Sequence, residues 1–446
     1  MEPLYKVAAF FGRHNFDVNG PNINTVIDCL LFEMKGGLEK DPVLPPNTGP
    51  ALDMIPTWIF PPEEAPKNKK VIVIDAGGTN FRSCLVHFDE KGVPTISDLE
   101  KQAMPATDRE YSKAEFFETI ASFLDHLKDK ADRIGFCFSY AMKISPDGDG
   151  EVIQFSKEIK APEVIGSFVG KNLSEALVKR GWKKPEKIML LNDTAAALLA
   201  GASTAVKGRR YDSYVGFIYG TGMNSAYIEY EPIPKIQNNK EVPHIPAAQI
   251  VVCESGKSNK VPRSKLDDAF AKTTNVPEIY LFEKMCSGAY FGALASLILR
   301  TAANEGLFSK PVNAALQNMQ DFTPADMDKF FYAPHAEDTL IGGIAAKGTE
   351  DDRELIFRLL DALVRRAAKF AAANIAASVI KSGKGKNPAL PVCVLAEGTT
   401  FLKMHNMRNR TLGYLNTVLT EERGIYFELI SIDNAVTFGS AIAGLL

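Results

Sequence analysis

Three glycine-threonine turns and one aspartate carry the chemistry legible in this chain. Residues 71–82 read VIVIDAGGTNFR: four β-formers, Asp75, a Gly77-Gly78 turn, then Thr79, Asn80 and Arg82. Glycines at such a turn let backbone N–H groups approach a ligand closely, and Thr79, Asn80 and Arg82 add donors, a combination suited to phosphate. Asp75, ending a buried strand, suits a hydrated Mg²⁺. An ordinary hairpin with a polar tip would read the same way from this stretch alone. The pattern returns at 214–230, YVGFIYGTGMNSAYIEY, with Gly220, Thr221 and Gly222 at the turn. It returns again where PVCVLA runs into Glu397, Gly398 and Thr399. Asp193 closes the apolar run KIMLLND (187–193) and directly precedes the helical TAAALLAGAS. It stands at a strand-to-helix corner, where aspartate serves equally as a helix N-cap.

Three look-alikes fall away on spacing. Gly220, Gly222 and Ser225 nearly make a dinucleotide fingerprint, but the third glycine is missing and a strand follows instead of a helix. GSFVGK (166–171) is one residue short of a P-loop and runs into Asn172. SPDGDGEV, from Ser145, lacks the acid spacing and terminal Glu of a calcium loop and reads as a turn.

The elements that must position these residues alternate between strand and helix. The pattern Val26, Ile27, Leu30, Leu31, Met34 predicts a helix stopped by Gly36-Gly37, and the proline-rich 41–70 a connector. A strand is expected at 83–88, and a helix at 112–130 with Ser112 and Glu115 forming a capping box. A strand follows at 133–140, a helix at 162–180 and a strand at 187–193. Long helices are expected at 278–303 and 351–381, then a strand over 391–403. Asp433, the Gly439-Ser440 pair and a short apolar helix AIAGLL close the chain. Two hairpin units about half a chain apart imply an α/β protein of two similar halves with the ligand between them.

Composition sets the frame. A chain of 446 residues implies two or three domains at roughly 150 residues each. A net charge of −3 gives no electrostatic case for nucleic acid or acidic membranes. Six scattered cysteines without metal-like spacing read as buried thiols of a reducing compartment. No apolar run approaches membrane-spanning length and the N-terminus lacks a signal-peptide pattern, so a cytoplasmic protein is expected.

Taken together and in order, the motifs resemble those of the hexokinases, two-domain sugar kinases of the actin-like ATPase superfamily. DAGGTNFR (75–82) looks like that family's first phosphate motif and YGTGMN (219–224) its second. LNDTAAALLAG (191–201) is similar to its catalytic segment, LFEKMCSGAYFG (281–292) to a sugar-binding helix, and AEGT (396–399) to its adenosine motif.

The resemblance implies an actin-like (ribonuclease H-like) α/β fold with two mixed-sheet domains flanked by helices and a cleft between them. The small domain would be 61–191 plus about 434–446, the large one 1–60 plus 192–433. The implied reaction moves the γ-phosphoryl group of Mg-ATP to the 6-hydroxyl of a hexose, with glucose the expected one, with no nucleic-acid or membrane partner, as monomer or homodimer. Asp193 would be the general base, with Lys157 and Arg82 assisting catalysis. Ser139, Ser156, Lys157, Asn192, Asn224, Glu254 and Glu283 would bind the sugar. Gly77, Gly78, Thr79, Asn80, Arg82, Gly220, Thr221 and Gly222 would cradle phosphates, and Gly398, Thr399 and Gly439 would line the adenosine side. Asp75 and Asp193 would hold Mg²⁺ through water.

Two loops depart from the family pattern. Ser139-Tyr140-Ala141 stands where Ser-Phe-Pro is usual, and Phe155-Ser156-Lys157-Glu158 where Trp-Thr-Lys-Gly is usual. The segment VVCESGKSN around Glu254 also lacks the aromatic-glycine pair expected after that acid. These departures motivate two alternatives: a sugar-responsive regulator of the same fold with little turnover, and a kinase for mannose, fructose or an amino sugar. An actin-like nucleotide switch is disfavoured by the candidate sugar residues.

Overall fold

Each glycine-turn hairpin founds a sheet, and the two sheets share one strand order. The structure, a computed structural model, describes residues 2–17, 19–41, 51–78, 80–155, 159–203, 208–237 and 245–446. Its strands are β1 (Ile55–Pro56), β2 (Lys69–Gly77), β3 (Asn80–Phe88), β4 (Pro94–Ala103), β5 (Arg133–Phe138), β6 (Ala141–Ile144) and β7 (Gly150–Gln154). There follow β8 (Lys187–Leu191), β9 (Ser213–Tyr219), β10 (Met223–Glu229), β11 (Gln249–Val252), β12 (Val392–Glu397) and β13 (Phe427–Ile430). The first sheet runs β4-β3-β2-β5-β8, with β2, β5 and β8 parallel and β3 and β4 antiparallel beside them. The second repeats that order as β11-β10-β9-β12-β13, with β9, β12 and β13 parallel and β1 added outside β11. The repeat inferred from two hairpins therefore extends to five strands.

Both faces of each sheet are covered, which is why the central strands read as unbroken apolar runs. In β2, Ile72, Ile74 and Ala76 enter one core while Val71 and Val73 enter another. That second core is shared: it joins Val71, Val73 and Leu191 of the first sheet to Ala226, Ile228 and Ile250 of the second. The helices exchange sides as well. Helix Asp193–Ser203 follows β8 but packs on β9, β10 and β12, and helix Ala435–Leu445 follows β13 but packs on β2, β5 and β8. The two cross where Gly439 meets the Ala196 carbonyl, at a spacing that excludes any Cβ.

Several boundaries differ from expectation, each for a local reason. The helix expected to stop at Gly36-Gly37 continues from Ile23 to Glu39, because Gly37 lies against the Leu52 carbonyl and is there for packing. A separate helix precedes it at Pro3–Arg13. Ser112 caps helix Lys113–Ser122 as expected, but Glu115 pairs with Arg109 instead of closing a capping box. The 162–180 segment starts its helix only at Val169, whose first turn is held by Asp149 of the rejected calcium loop through Gly170 N and Lys171 N (2.6 and 2.8 Å). The second strand of the first hairpin begins at Asn80, not 83. Residues 278–303 form two helices, Leu281–Lys284 and Gly288–Asn304, broken by an extended Ser287. Thr399–Lys403 is helical where a continuing strand was expected, and the Gly439-Ser440 pair lies inside the last helix. Among the described residues no helix is long and apolar enough to cross a membrane.

Candidate active site

The site assembles at the carboxyl ends of β2, β5 and β8, where open α/β sheets bind ligands. In the parallel register Asp75 lies beside Cys137, and Cys137 beside Leu191, so Asn192 and Asp193 follow directly at the strand tip. Asn192 Oδ1 accepts from the Thr194 N–H at 2.9 Å and the Thr194 hydroxyl at 2.6 Å. The helix cap is therefore Asn192, and Asp193 occupies the first helical position. Loss of water pushes the Asp193 carboxyl up to about 6, with the charge of Asp75 adding to the shift and the Thr194 and Asp193 N–H groups opposing it. Burial raises Asp75 too, against the pull of Arg82, whose guanidinium stands 3.9 Å away, and of the Cys137 thiol. The thiol itself is driven far above its usual range by burial and by both aspartates.

The second half of the chain supplies two more acids, one after β11 and one on helix Leu281–Lys284. Glu254 follows β11 in the left-handed region (φ +55°), a conformation that non-glycine residues adopt at a cost of order 1 kcal/mol. It accepts from Asn224 Nδ2 at 3.0 Å. Glu283 accepts from the Met223 N–H at 3.0 Å, and its carboxylate fills the space a Cβ on Gly222 would need. Both carboxyls are pushed up to about 7, chiefly by burial. For Glu254 the opposing influence is Lys257, with Asp53, Asp193 and Glu283 adding to the rise. For Glu283 it is the Met223 N–H, with Asp193 adding to the rise. Asp193 thus feels the charge of Asp75, and its own charge is felt by Cys137, Glu254 and Glu283.

The phosphate-type turns are open at their tips and tied down behind. Gly78 (φ +58°) is exposed, with nothing near the position a Cβ would take. Behind it the Tyr140 hydroxyl donates to the Gly78 carbonyl at 2.7 Å and the Ser139 N–H to Ala76 O at 2.9 Å. Asn80 and Arg82 project to solvent from β3. The other two turns form one assembly. Gly398 (φ +111°) packs on the Tyr219–Gly220 peptide, and Thr400 Oγ1 donates to Gly220 O at 2.9 Å. The start of helix Gly288–Asn304 docks on the same turn, through Gly288 N to Gly220 O (2.9 Å) and Ala289 N to Thr221 O (3.0 Å). Thr221 and Thr399 remain exposed.

The structure thus gathers Asp75, Ser139, Asn192, Asp193, Asn224, Glu254 and Glu283 from both sheets, and joins Gly220, Thr221 and Gly222 with Gly398 and Thr399. Gly439 has a packing job at the helix crossing. Thr79, Ser156 and Lys157 lie outside the described residues. Sequence reasoning missed Lys257, buried and ion-paired to Asp53 beside the Tyr280 ring (5.8 Å). It also missed the thiol of Cys137 and the hydroxyl of Tyr140. A charged Lys257 in an otherwise small and polar run, CESGKSN, was the available signal, but its partner lies some 200 positions away.

The donor set fits a hydrated divalent cation. Asp75 and Asp193 face each other with one guanidinium as partial compensation, and both resist ionisation, so the locus favours added positive charge. Among the described residues no three His, Cys, Asp or Glu side chains gather as a direct cage, which suits Mg²⁺ held through water and substrate phosphates.

Comparison with known proteins gives the same answer along the whole chain. Residues 12–203 and 214–446 match two family models, each described as "Hexokinase". Hexokinase-1 of Schizosaccharomyces pombe is 26% identical, over 97% of this chain and 89% of that protein. Glucokinase-1 of Kluyveromyces lactis is 28% identical, over 82% of each. The solved structure of a hexokinase from Schistosoma mansoni complexed with glucose shares the fold, with a TM-score of 0.79, 22% identity and coverage of 100% of this chain and 99% of that one.

Proposed function

The chain belongs to the hexokinase family of hexose phosphotransferases, and from that premise we propose that it moves the γ-phosphoryl group of Mg-ATP to the 6-hydroxyl of glucose or a close relative, with Asp193 as general base. The observation that carries this reading is the placement of Asp193: at a strand tip, at the start of a helix it does not cap, and beside Asp75. A carboxylate with a pKa of about 6 is ionised at neutral pH and more basic than an ordinary aspartate, which suits it to take a hydroxyl proton as the oxygen attacks phosphorus.

The remaining residues divide between the substrates. Asn192 has its carbonyl committed to Thr194, so its Nδ2–H group is left to donate to a sugar hydroxyl. Glu254 and Glu283 accept hydroxyl protons, and two carboxylates in one pocket suit a polyol. Ser139 joins them, and Ser156 and Lys157 are assigned to the sugar by family resemblance alone, with Lys157 and Arg82 offsetting negative charge. The turns at Gly77–Asn80 and Gly220–Gly222 cradle phosphate with backbone N–H groups, and Gly398 and Thr399 lie toward the nucleoside. Mg²⁺, when bound, neutralises phosphate charge and aligns the transferring group. We take the small domain as 61–191 with 434–446, a division supported by the packing of helix Ala435–Leu445 on β2, β5 and β8. Closure of the two domains over the sugar would exclude water, which Asp193 would otherwise activate.

The test is ADP release from Mg-ATP across glucose, mannose, fructose, glucosamine and N-acetylmannosamine. Hexose-dependent turnover lost in Asp193→Ala supports the reading. No turnover with any sugar, or turnover indifferent to Asp193, overturns it.

A further inference from the structure

Behind the sugar-facing acids runs a chain of buried side-chain hydrogen bonds that the reaction chemistry does not use. It starts on helix Glu350–Ser382, where Ser378 Oγ donates to Ser225 Oγ (2.9 Å) and Ser225 Oγ to Asn374 Oδ1 (2.8 Å). Asn374 Nδ2 donates to Ser255 Oγ (2.8 Å), and Ser255 in turn gives Asn224 Oδ1 its N–H (3.2 Å), while its hydroxyl proton is shared between Asn224 Oδ1 and the Met223 carbonyl, each 3.4 Å away. Asn374 is 2% exposed, Ser255 1%, and Ser225 and Ser378 0%, so no water competes for these groups. The orientation of the Asn224 amide follows. Two backbone N–H groups, Ser225 at 2.7 Å and Ser255, converge on one of its terminal atoms, which must be the oxygen. The nitrogen is left facing Glu254 at 3.0 Å.

We propose that Asn374 is a positioning residue for hexose recognition, acting through Ser255 to hold the Asn224 amide with its nitrogen on Glu254. The proposal rests on the reading of Asn224 and Glu254 as sugar contacts. Ser255 stands directly after Glu254, where the family resemblance calls for an aromatic side chain, and its small size and hydroxyl are what admit Asn374. Asn374 also bridges β10 to the segment after β11, so it fixes the separation of the strands that carry the two sugar contacts. A polar network this deep earns its place only when every member is satisfied; one unpaired member releases the rest.

The test is steady-state kinetics of Asn374→Leu, which keeps volume and removes both hydrogen bonds, and of Ser255→Ala, which cuts the link with the least change in shape. Each should raise the hexose KM about tenfold, the worth of one hydrogen bond to a charged group, with the ATP KM and kcat moved less than about threefold. In the double variant Asn374→Leu/Asn224→Ala the hexose KM should match that of Asn224→Ala alone, because both changes break one linkage. A lowered unfolding temperature with an unchanged hexose KM in both single variants would overturn the proposal, as would effects that multiply in the double variant. Wild-type protein is run in the same assay. If it shows no hexose-dependent turnover, the kinase reading falls and this inference with it; if it turns over and the variants keep its KM, the relay alone falls.

Discussion

Glu283 occupies the volume that a side chain on Gly222 would need, and its Oε1 accepts the N–H of the next residue, Met223, at 3.0 Å. The second glycine of the Gly220–Gly222 turn therefore makes room for an acid; on the proposed reading that ties the phosphate turn to the sugar pocket. It lets an acid from a helix some 60 positions away reach into the turn and be held by its backbone.

Gly222→Ala follows directly. The added methyl displaces the Glu283 carboxylate and breaks the Met223 hydrogen bond, so the hexose KM should rise by at least about tenfold while stability falls by about 1–3 kcal/mol. Steady-state kinetics and urea unfolding check the two halves. An alanine variant with wild-type hexose KM would mean that Glu283 makes no sugar contact.

The acids set the pH profile. Asp193 acts as a base only when ionised, so kcat should fall as pH drops through about 6. Glu254 and Glu283 titrate near 7 and accept hydroxyl protons only as carboxylates, so the hexose KM should begin to rise already below about 7. Because each of these acids feels Asp193, the limbs belong to the cluster and not to single residues. Measuring kcat and kcat/KM from pH 5 to 9 separates them: the kcat/KM limb should lie about one unit above the kcat limb.

Asp193→Asn should lose turnover by about 10²–10⁴-fold, the usual worth of a general base. It should also stabilise the fold. The native carboxyl titrates at about 6, above the roughly 3.9 of an unfolded chain, so its ionisation costs stability as pH rises between those values. The variant should be more stable than wild type by on the order of 1–3 kcal/mol at pH 8, and the difference should vanish by about pH 4, where the native aspartate is already protonated. Thermal unfolding at the two pH values decides it.

What the sequence made legible, and what it hid, divides along range. The apolar runs into Asp75, Asp193 and the Gly220 turn are local signals, and both hairpins and the strand-to-helix corner are where they were read. Glycines were the main source of error, because a glycine kept for packing looks like one kept for a turn. Gly36-Gly37 reads as a helix stop, yet Gly37 is pressed against the Leu52 carbonyl inside a helix that continues to Glu39. Gly439, expected on the adenosine side, also has a packing contact at the Ala196 carbonyl that local sequence does not announce. Ser287 breaks a helix that periodicity would continue, because the Gly220 turn takes the hydrogen bond of Gly288. Lys257 with Asp53, and Asn374 with Ser255, are pairings across the chain that no local pattern announces.

Away from the site, Arg366 and Asp267 form a two-bond ion pair whose side chains are 4% and 2% exposed, and Arg366 also donates to the Met285 carbonyl, two residues after Glu283. Asp267→Asn leaves the guanidinium with weakened compensation in the core, and the loss should be about 3–5 kcal/mol at neutral pH. The native Asp267 carboxyl titrates below its usual value despite burial, because Arg366 favours the ionised form. Its stabilisation is therefore complete above the unfolded value of about 3.9 and is lost as pH falls through the native one. Urea midpoints of wild type and variant should differ most at pH 7 and converge in acid; a constant difference across that range would show that packing, not charge, holds this segment.

The Tyr140 hydroxyl is the finest of these tests. In place of the usual Phe it reaches the Gly78 carbonyl at 2.7 Å, so it ties the segment after β5 to the Gly77-Gly78 turn. Tyr140→Phe keeps the ring, which packs against Phe138 and Phe155, and removes the hydroxyl that makes this bond. The fold should lose no more than about 1.5 kcal/mol, the worth of one neutral hydrogen bond. If the turn grips phosphate, the freed Gly78 should raise the ATP KM several-fold while leaving the hexose KM near wild type. The opposite pattern, a hexose KM raised alone, would place Gly77-Gly78 on the sugar side and move the phosphate site to the turns at Gly220 and Gly398.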